Sequence, residues 1–408
     1  MALVLHVIMK CGGDIGLLML LQCLAGGLGV YYLCRSILAF SLSNKTHASW
    51  CSVLIFVFLI SPLTPLAAYL MTFWKDAWCA IIFTWIVMLA LTLYRKGEEY
   101  PPGRFYLLYG IFGFLLALAP LTRYNAIFVL PSCLITAWFI LYSRRKTGLT
   151  KSVFLSLIPL ILFLGEHRLQ YLVFPIEETH PEQQVMALDL VGIMVLEPEL
   201  GEEFPFTRQH LTKHYKTAYV FGAVNRLYWR PPLAVDDSYK YCETMVQEYK
   251  RAISKYPGIW LKVKLRAFWA LVDPYHTTYW FHIGITNNQR GLAQNQFFQP
   301  LRALYEKALK WVEKNRFSRL ISGVHLVWIV INLAALSVVW ALFYKRRDNI
   351  FFLWGVLLTI PFLYYASYLA ATTAWDFRLM YPATLLVQTI MYNFLIIGYV
   401  KHKQGKRF

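Results

Sequence analysis

Charge is what this sequence has least of. Only 15% of its 408 residues are Asp, Glu, Lys or Arg, where a soluble domain carries about 25%. The balance is apolar: 58% of the chain is hydrophobic and 17% aromatic, with a mean hydropathy of +0.46. A water-soluble globule is excluded, and the composition points to an all-α polytopic membrane protein, because a spanning helix satisfies its own backbone. Cysteine patterning is missing too. Residues 11, 23, 34, 51, 79, 133 and 242 are scattered, six of them in or beside apolar runs, with no CxxC or metal spacing. That argues against a disulfide framework and for small hydrophobes in helix packing. No internal repeat, low-complexity tract or Gly-rich phosphate loop is present either.

What charge there is has a pattern. The formal net charge of +18 invites a nucleic-acid partner, but its distribution rejects one. The polar block 166–320 holds 20 Lys/Arg against 16 Asp/Glu, and the remainder 20 against 6. The excess sits in short loops between apolar runs, which is the positive-inside bias of a membrane protein and not a phosphate-binding stripe.

Nine runs approach the roughly 20 residues needed to span: 15–38, 50–71, 77–94, 105–121, 126–142, 152–173, 321–344, 350–370 and 379–400. The fourth and fifth are short and must borrow length from flanking Tyr, Thr and Asn. Five basic clusters then fall on one face: Arg35 with Lys45; Arg95, Lys96 and Arg104; Arg144, Arg145, Lys146 and Lys151; Lys345 to Arg347; and Lys401 to Arg407. That face is expected to be cytoplasmic. The chain thus divides into an N-terminal bundle (1–165, its last span running to about 173), an outer-face helical domain (166–320) and a C-terminal bundle (321–408) with a basic cytoplasmic tail.

This topology puts Met1 outside. Met1–Lys10 is a poor signal peptide, having no basic start and no small-residue cleavage site, and is too short to span. An upstream span absent from this chain, through truncation or a late start codon, is the expectation. In the outer block, helices are expected at 185–196, 238–255, 259–271 and 301–316, broken by prolines. The aromatic passage Trp260, Phe268, Trp269, Tyr275, Tyr279, Trp280 and Phe281 is a candidate to lie on the bilayer. Asn44-Lys45-Thr46 fits a glycosylation sequon, which the topology places inside.

Three stretches carry charge at outer span ends: Trp74-Lys75-Asp76-Ala77, Pro120-Leu121-Thr122-Arg123-Tyr124-Asn125 and Ala374-Trp375-Asp376-Phe377-Arg378. A central arginine would cost at least about 2.5–3.5 kcal/mol, so Arg123 belongs at the membrane–water boundary. There Arg123 with Asn125 could grip a phosphate or carboxylate bidentately, or Arg123 could simply snorkel. Asp76 could equally be an anion at a helix N-terminus, and Asp376 and Arg378 could pair with each other. His6, His276 and His282 are isolated and read as structural.

The run GFLLALAPLTRYNAIFVLP resembles the small-residue span, Leu-Thr-Arg/Lys and Pro-ended span of the GT-C superfamily of membrane glycosyltransferases, which includes the protein mannosyltransferases and the aminoarabinose transferases. FWKDAWCAIIF is similar to that superfamily's acidic second outer loop, and DFRLMYPATLL to a late Arg-x-x-x-Pro motif. HPEQQVMALDLVGIMV with KYPGIWLKVKLRAFW resembles the outer domain of a bacterial subgroup. The resemblance covers roughly residues 1–400. It implies transfer of a sugar from a polyprenyl-phosphate donor to an envelope glycan, lipid or protein acceptor at the outer face of a bacterial cytoplasmic membrane. Lys75, Arg123, Asn125 and Arg378 would bind the donor phosphate. Asp76 would be the second acid of the family, which in some members holds a divalent metal. The family's principal catalytic Asp precedes this chain's first run, leaving Asp14 and Asp76 as the upstream acids, so this chain is expected to bind donor without turnover. The competing classes are a lipid or polysaccharide flippase or transporter, for which paired repeats and broken helices are lacking, and a non-catalytic scaffold of envelope-polysaccharide assembly.

Overall fold

A computed structural model of the chain describes residues 10, 15–42, 44–61, 64, 75–173, 180, 182–211, 242–272, 299–315, 318–320, 324–372 and 379–403. Helices are the regular structure they form, with no strand among them. Eight helices among the described residues are long and apolar enough to cross a membrane. The protein is therefore a multi-pass, all-α membrane protein.

In chain order the first elements are α1 (Ile15–Ser41), α2 (Lys45–Ile60), α3 (Lys75–Lys96) and α4 (Pro102–Thr122). A 3-10 turn (Tyr124–Val129) leads into α5 (Leu130–Arg145), followed by α6 (Leu149–Ser156) and α7 (Ile158–Val173). The second expected span, 50–71, is represented by α2 alone, because most of 62–74 lies outside the described residues. The fourth and fifth spans do gain length from their flanks, reaching 102–122 and 124–145. The sixth is broken at Leu157, two residues before Pro159, a residue that cannot donate to the preceding turn. Local sequence sets several starts. The Asn44 side chain accepts from the backbone N–H of Thr46 at 2.9 Å and of His47 at 3.3 Å, capping α2, and Pro102 opens α4, where its missing N–H costs nothing.

By contacts the chain forms two compact units, one of 1–168, 279–365 and 378–408, the other of 169–278 and 366–377. In the first unit α3 is central: 83% of its apolar window is buried, against 17% for 149–168 and for 325–346. It packs against α1, α4 and the last helix, α15 (Tyr381–Lys403). Close approach of α1 and α3 requires Gly29, where a Cβ would stand 2.9 Å from Trp85 Nε1; the same indole donates to the Ala25 carbonyl at 2.9 Å. Before α15 in the chain come α13 (His325–Arg346) and α14 (Asn349–Ala371).

Basic residues collect at one end of this bundle. Arg144 reaches Glu98 at 3.2 Å and lies 3.8 Å over the Tyr94 ring, while Arg145 donates to the Tyr100 carbonyl at 2.8 Å and lies over Phe105. Lys146 and Arg347 adopt positive φ as the C-caps of α5 and α13. The opposite end of α3 is about 30 Å away at 1.5 Å per residue, close to the thickness of a bilayer's hydrocarbon core.

The second unit contains α8 (Glu182–Leu196), a 3-10 turn (Pro198–Glu202), α9 (Pro205–Leu211), α10 (Glu243–Lys255) and α11 (Pro257–Val272). Its core is Ala187, Leu188, Leu190, Val191, Ile193, Phe204, Met245, Ala252 and Val263. Buried Glu248 organises the start of α9, accepting from the N–H of Phe206 (2.8 Å) and Thr207 (3.0 Å) and from the Thr207 hydroxyl (2.6 Å). The remaining helix, α12 (Gln299–Lys314), belongs to the first unit.

Candidate functional site

The apolar runs alternate in direction, so the start of α3 and the end of α4 meet at one end of the bundle. There Asp76, in the first turn of α3, forms an ion pair with Arg123, the C-cap of α4. Both Nε and Nη2 of the guanidinium donate to the same carboxylate oxygen, Oδ1. Each charge stands where its helix favours it, the anion at an N-terminus and the cation at a C-terminus. Arg123 is aimed by the chain itself. It is extended (φ −147, ψ 121) between α4 and the 3-10 turn, its N–H still bonded to the Ala119 carbonyl at 3.2 Å.

Burial of the two partners is unequal. The Asp76 side chain is 5% exposed and that of Arg123 15%. Below them lie Thr122, whose hydroxyl donates to the Ala119 carbonyl at 2.7 Å, and Cys79, within hydrogen-bonding reach of Thr122 and Tyr364. Tyr364 meets Phe83 edge-on at 5.3 Å. Lys75 is exposed beside Asp76, Asn125 is half-buried two residues beyond Arg123, and Asp14 and Arg378 lie outside the described residues, as do His6, His276 and His282. The structure thus brings together Asp76 and Arg123, with Lys75 and Asn125 adjacent in sequence. Cys79, Thr122 and Tyr364 were not legible as neighbours of the pair, being ordinary residues of apolar runs. No group of three His, Cys, Asp or Glu side chains suited to a metal occurs among the described residues.

A second charged cluster, absent from the sequence reading, is sealed inside the other unit. Lys264 Nζ lies 2.6 Å from Asp189 Oδ2, with side-chain exposures of 2% and 0%. The same oxygen accepts from Tyr249 OH (3.0 Å) and Trp260 Nε1 (3.3 Å), and Lys264 also donates to the Ala370 carbonyl at 2.6 Å. Asp189 Oδ1 is buried with no hydrogen-bond partner among the described residues. Burial pushes the Asp189 carboxyl above its ordinary range against the pull of Lys264, and burial pushes the Lys264 ammonium below its own. Trp260 is therefore turned into this cluster and not toward a bilayer; of the described aromatics in that passage Trp269 is the exposed one. The signal in the sequence was a single acid and a single lysine at core positions of two apolar helices.

The Asp76–Arg123 pair is a charge-assisted contact in which two guanidinium N–H groups meet one carboxylate oxygen. Comparison with protein-family models, with curated proteins and with solved structures finds none that matches this chain.

Proposed function

We propose that the protein is a membrane glycosyltransferase of the GT-C kind, moving a sugar from a polyprenyl-phosphate donor to a glycan, lipid or protein acceptor at the outer face of a bacterial cytoplasmic membrane. The observation that supports this reading is the Asp76–Arg123 pair, placed at the end of α3 remote from Arg95 and Lys96. If the basic ends face the cytoplasm, the pair stands at the outer boundary, where a lipid-linked phosphate would present itself. A phosphate leaving group needs a cation to stabilise the charge that develops on it, and an arginine suits it because its planar fork matches two oxygens.

In this reading Asp76 is a positioning residue. Its carboxylate is committed to Arg123, so it fixes the guanidinium's direction and is not poised to take a proton from an acceptor. Lys75 and Asn125 border the phosphate site; Arg378, which the resemblance also assigns to the donor phosphate, lies outside the described residues. The lipid tail would lie along the apolar helices. The donor is the ligand.

The test is donor-lipid binding in detergent by the native protein and three variants. Arg123→Ala is expected to weaken binding on the order of ten- to a hundredfold, since a charged hydrogen bond is worth about 1.5–3 kcal/mol. Arg123→Lys keeps the charge but loses the fork and should fall between. Asp76→Asn should weaken binding less than Arg123→Ala, through loss of aim alone. Equal affinity of the native protein and Arg123→Ala would remove the reading.

A further inference from the structure

Two helices outside the bundle carry an apolar stripe on the side turned away from their own packing. On α11 the inward residues are Val263, Lys264, Ala267 and Leu271. On its other side Leu261, Leu265 and Trp269, four residues apart, are 51%, 52% and 56% exposed. Lys262 and Arg266 stand next to this stripe, also exposed. On α12, Val312 is buried while Leu304 and Trp311, two turns apart, are 57% and 52% exposed. Lys307, Lys310 and Lys314 follow along the same side, Lys310 also reaching Glu306 at 2.6 Å. An open groove of about 420 Å³ runs beside them, lined by Ala303, Glu306, Lys307, Lys310, Trp311 and Lys314.

Single exposed leucines need no explanation. A stripe of leucine and tryptophan bordered by cations does, because that pattern seats in a membrane interface. Each helix is also tied to the carbonyl end of an apolar helix, of which α14 is long enough to span and α2 is shorter. Lys264 on α11 donates to the carbonyl of Ala370 in the last turn of α14, and Tyr305 on α12 donates at 3.0 Å to that of Ile60, the last residue of α2. The end of a spanning helix lies at the edge of the hydrocarbon, so the α11 stripe, tied to the end of α14, is held at the depth where headgroups meet acyl chains.

We propose that α11 and α12 lie along the bilayer surface. Leu261, Leu265 and Trp269, with Leu304 and Trp311, are seated at the headgroup–acyl boundary. Lys262 and Arg266, with Lys307, Lys310 and Lys314, hold the phosphates of anionic phospholipids. Charge complementarity selects that occupant over a second copy of this chain, whose own stripes would bring like charges together. This inference is independent of the glycosyltransferase reading and would survive its failure.

The test uses the full chain in vesicles of equal parts phosphatidylcholine and phosphatidylglycerol. Leu265→Cys, Leu304→Cys and, as a water-facing reference, Lys250→Cys on α10 are each labelled with bimane, and the signal of the identically treated native chain is subtracted. Lipids brominated near the glycerol end of the acyl chain should quench the labels at 265 and 304 strongly and the one at 250 weakly. Quenching at 265 and 304 no greater than at 250 overturns the proposal. So does protection of those labels that depends on protein concentration and not on brominated lipid, which would mark a second copy as occupant. In the charge arm, Lys262→Glu with Arg266→Glu, and separately Lys307→Glu with Lys314→Glu, should each lower the enrichment of spin-labelled phosphatidylglycerol over phosphatidylcholine around the protein. Unchanged enrichment overturns the headgroup assignment.

Discussion

The two carboxylate–cation pairs make a natural experiment within one chain. Asp76–Arg123 sits at a rim, with the arginine still 15% exposed. Asp189–Lys264 is sealed, its lysine shared with the Ala370 carbonyl and its carboxylate with Tyr249 and Trp260. A rim pair can exchange or add a partner at modest cost, because water compensates each state. A sealed pair cannot, since separating its charges leaves an uncompensated ion in a low dielectric. The first arrangement suits recognition, the second holds one packing in place.

The largest expected effect comes from breaking the sealed pair from one side. Lys264→Ala should destabilise the protein by about 3–5 kcal/mol, read as a fall in the unfolding midpoint in detergent. Replacing both partners, Asp189→Leu with Lys264→Met, should recover most of that loss, since apolar isosteres of a buried pair are often neutral or better. A double variant no more stable than the single one would show that the network contributes specific geometry beyond its charge.

A pH series sharpens the contrast. The Asp189 carboxyl is raised from 3.8, so its stabilising contribution is complete below that pH and is lost as pH rises through the folded value. The Lys264 ammonium is lowered from 10.5, so its contribution is complete above that pH and is lost as pH falls through the folded value. Both are therefore missing at intermediate pH. The stability of the double variant relative to the native chain should be most favourable near neutrality and become less so toward both limits; a difference flat with pH would contradict the burial argument.

Arg123→Ala should cost less than Lys264→Ala, about 1–3 kcal/mol, because water can reach the carboxylate it leaves behind. An equal or greater cost would mean that the rim is as dry as the interior. Smallest of all is Lys255→Ala at the exposed Glu203–Lys255 pair, which should leave the unfolding midpoint nearly unmoved, as surface pairs usually do. Lys255 lowers the Glu203 pKa, so whatever it contributes is present above the ordinary carboxylate range and lost as pH falls.

Much of this architecture was legible in the apolar runs. Length and hydropathy found α3, α4 and α13 to α15 within a few residues, because a spanning helix advertises itself by composition alone. The rim was half legible. Alternating direction puts Lys75-Asp76 and Arg123 at the same end, but only packing decides that Asp76 faces α4. The sealed pair was not legible, because a lone Asp189 in EQQVMALDLVGIMVL reads the same whether it meets solvent or a lysine. Nor could α11 be divided into an inward Lys264 and an outward Lys262 and Arg266 without knowing which side faces the core. The break at Pro257-Gly258 was expected, but it is a direct junction: α10 ends at Lys255 and α11 begins at Pro257.

The rim pair has a consequence for how the protein is made. Asp76 and Arg123 are 47 residues apart, so at 5–20 residues per second the carboxylate leaves the ribosome roughly 2–9 s before its partner exists. During that interval Asp76, at the leading turn of the most buried of the described spans, lacks Arg123 as its partner. The contact between α3 and α4 at this rim is completed only once the Leu121–Asn125 turn has been made.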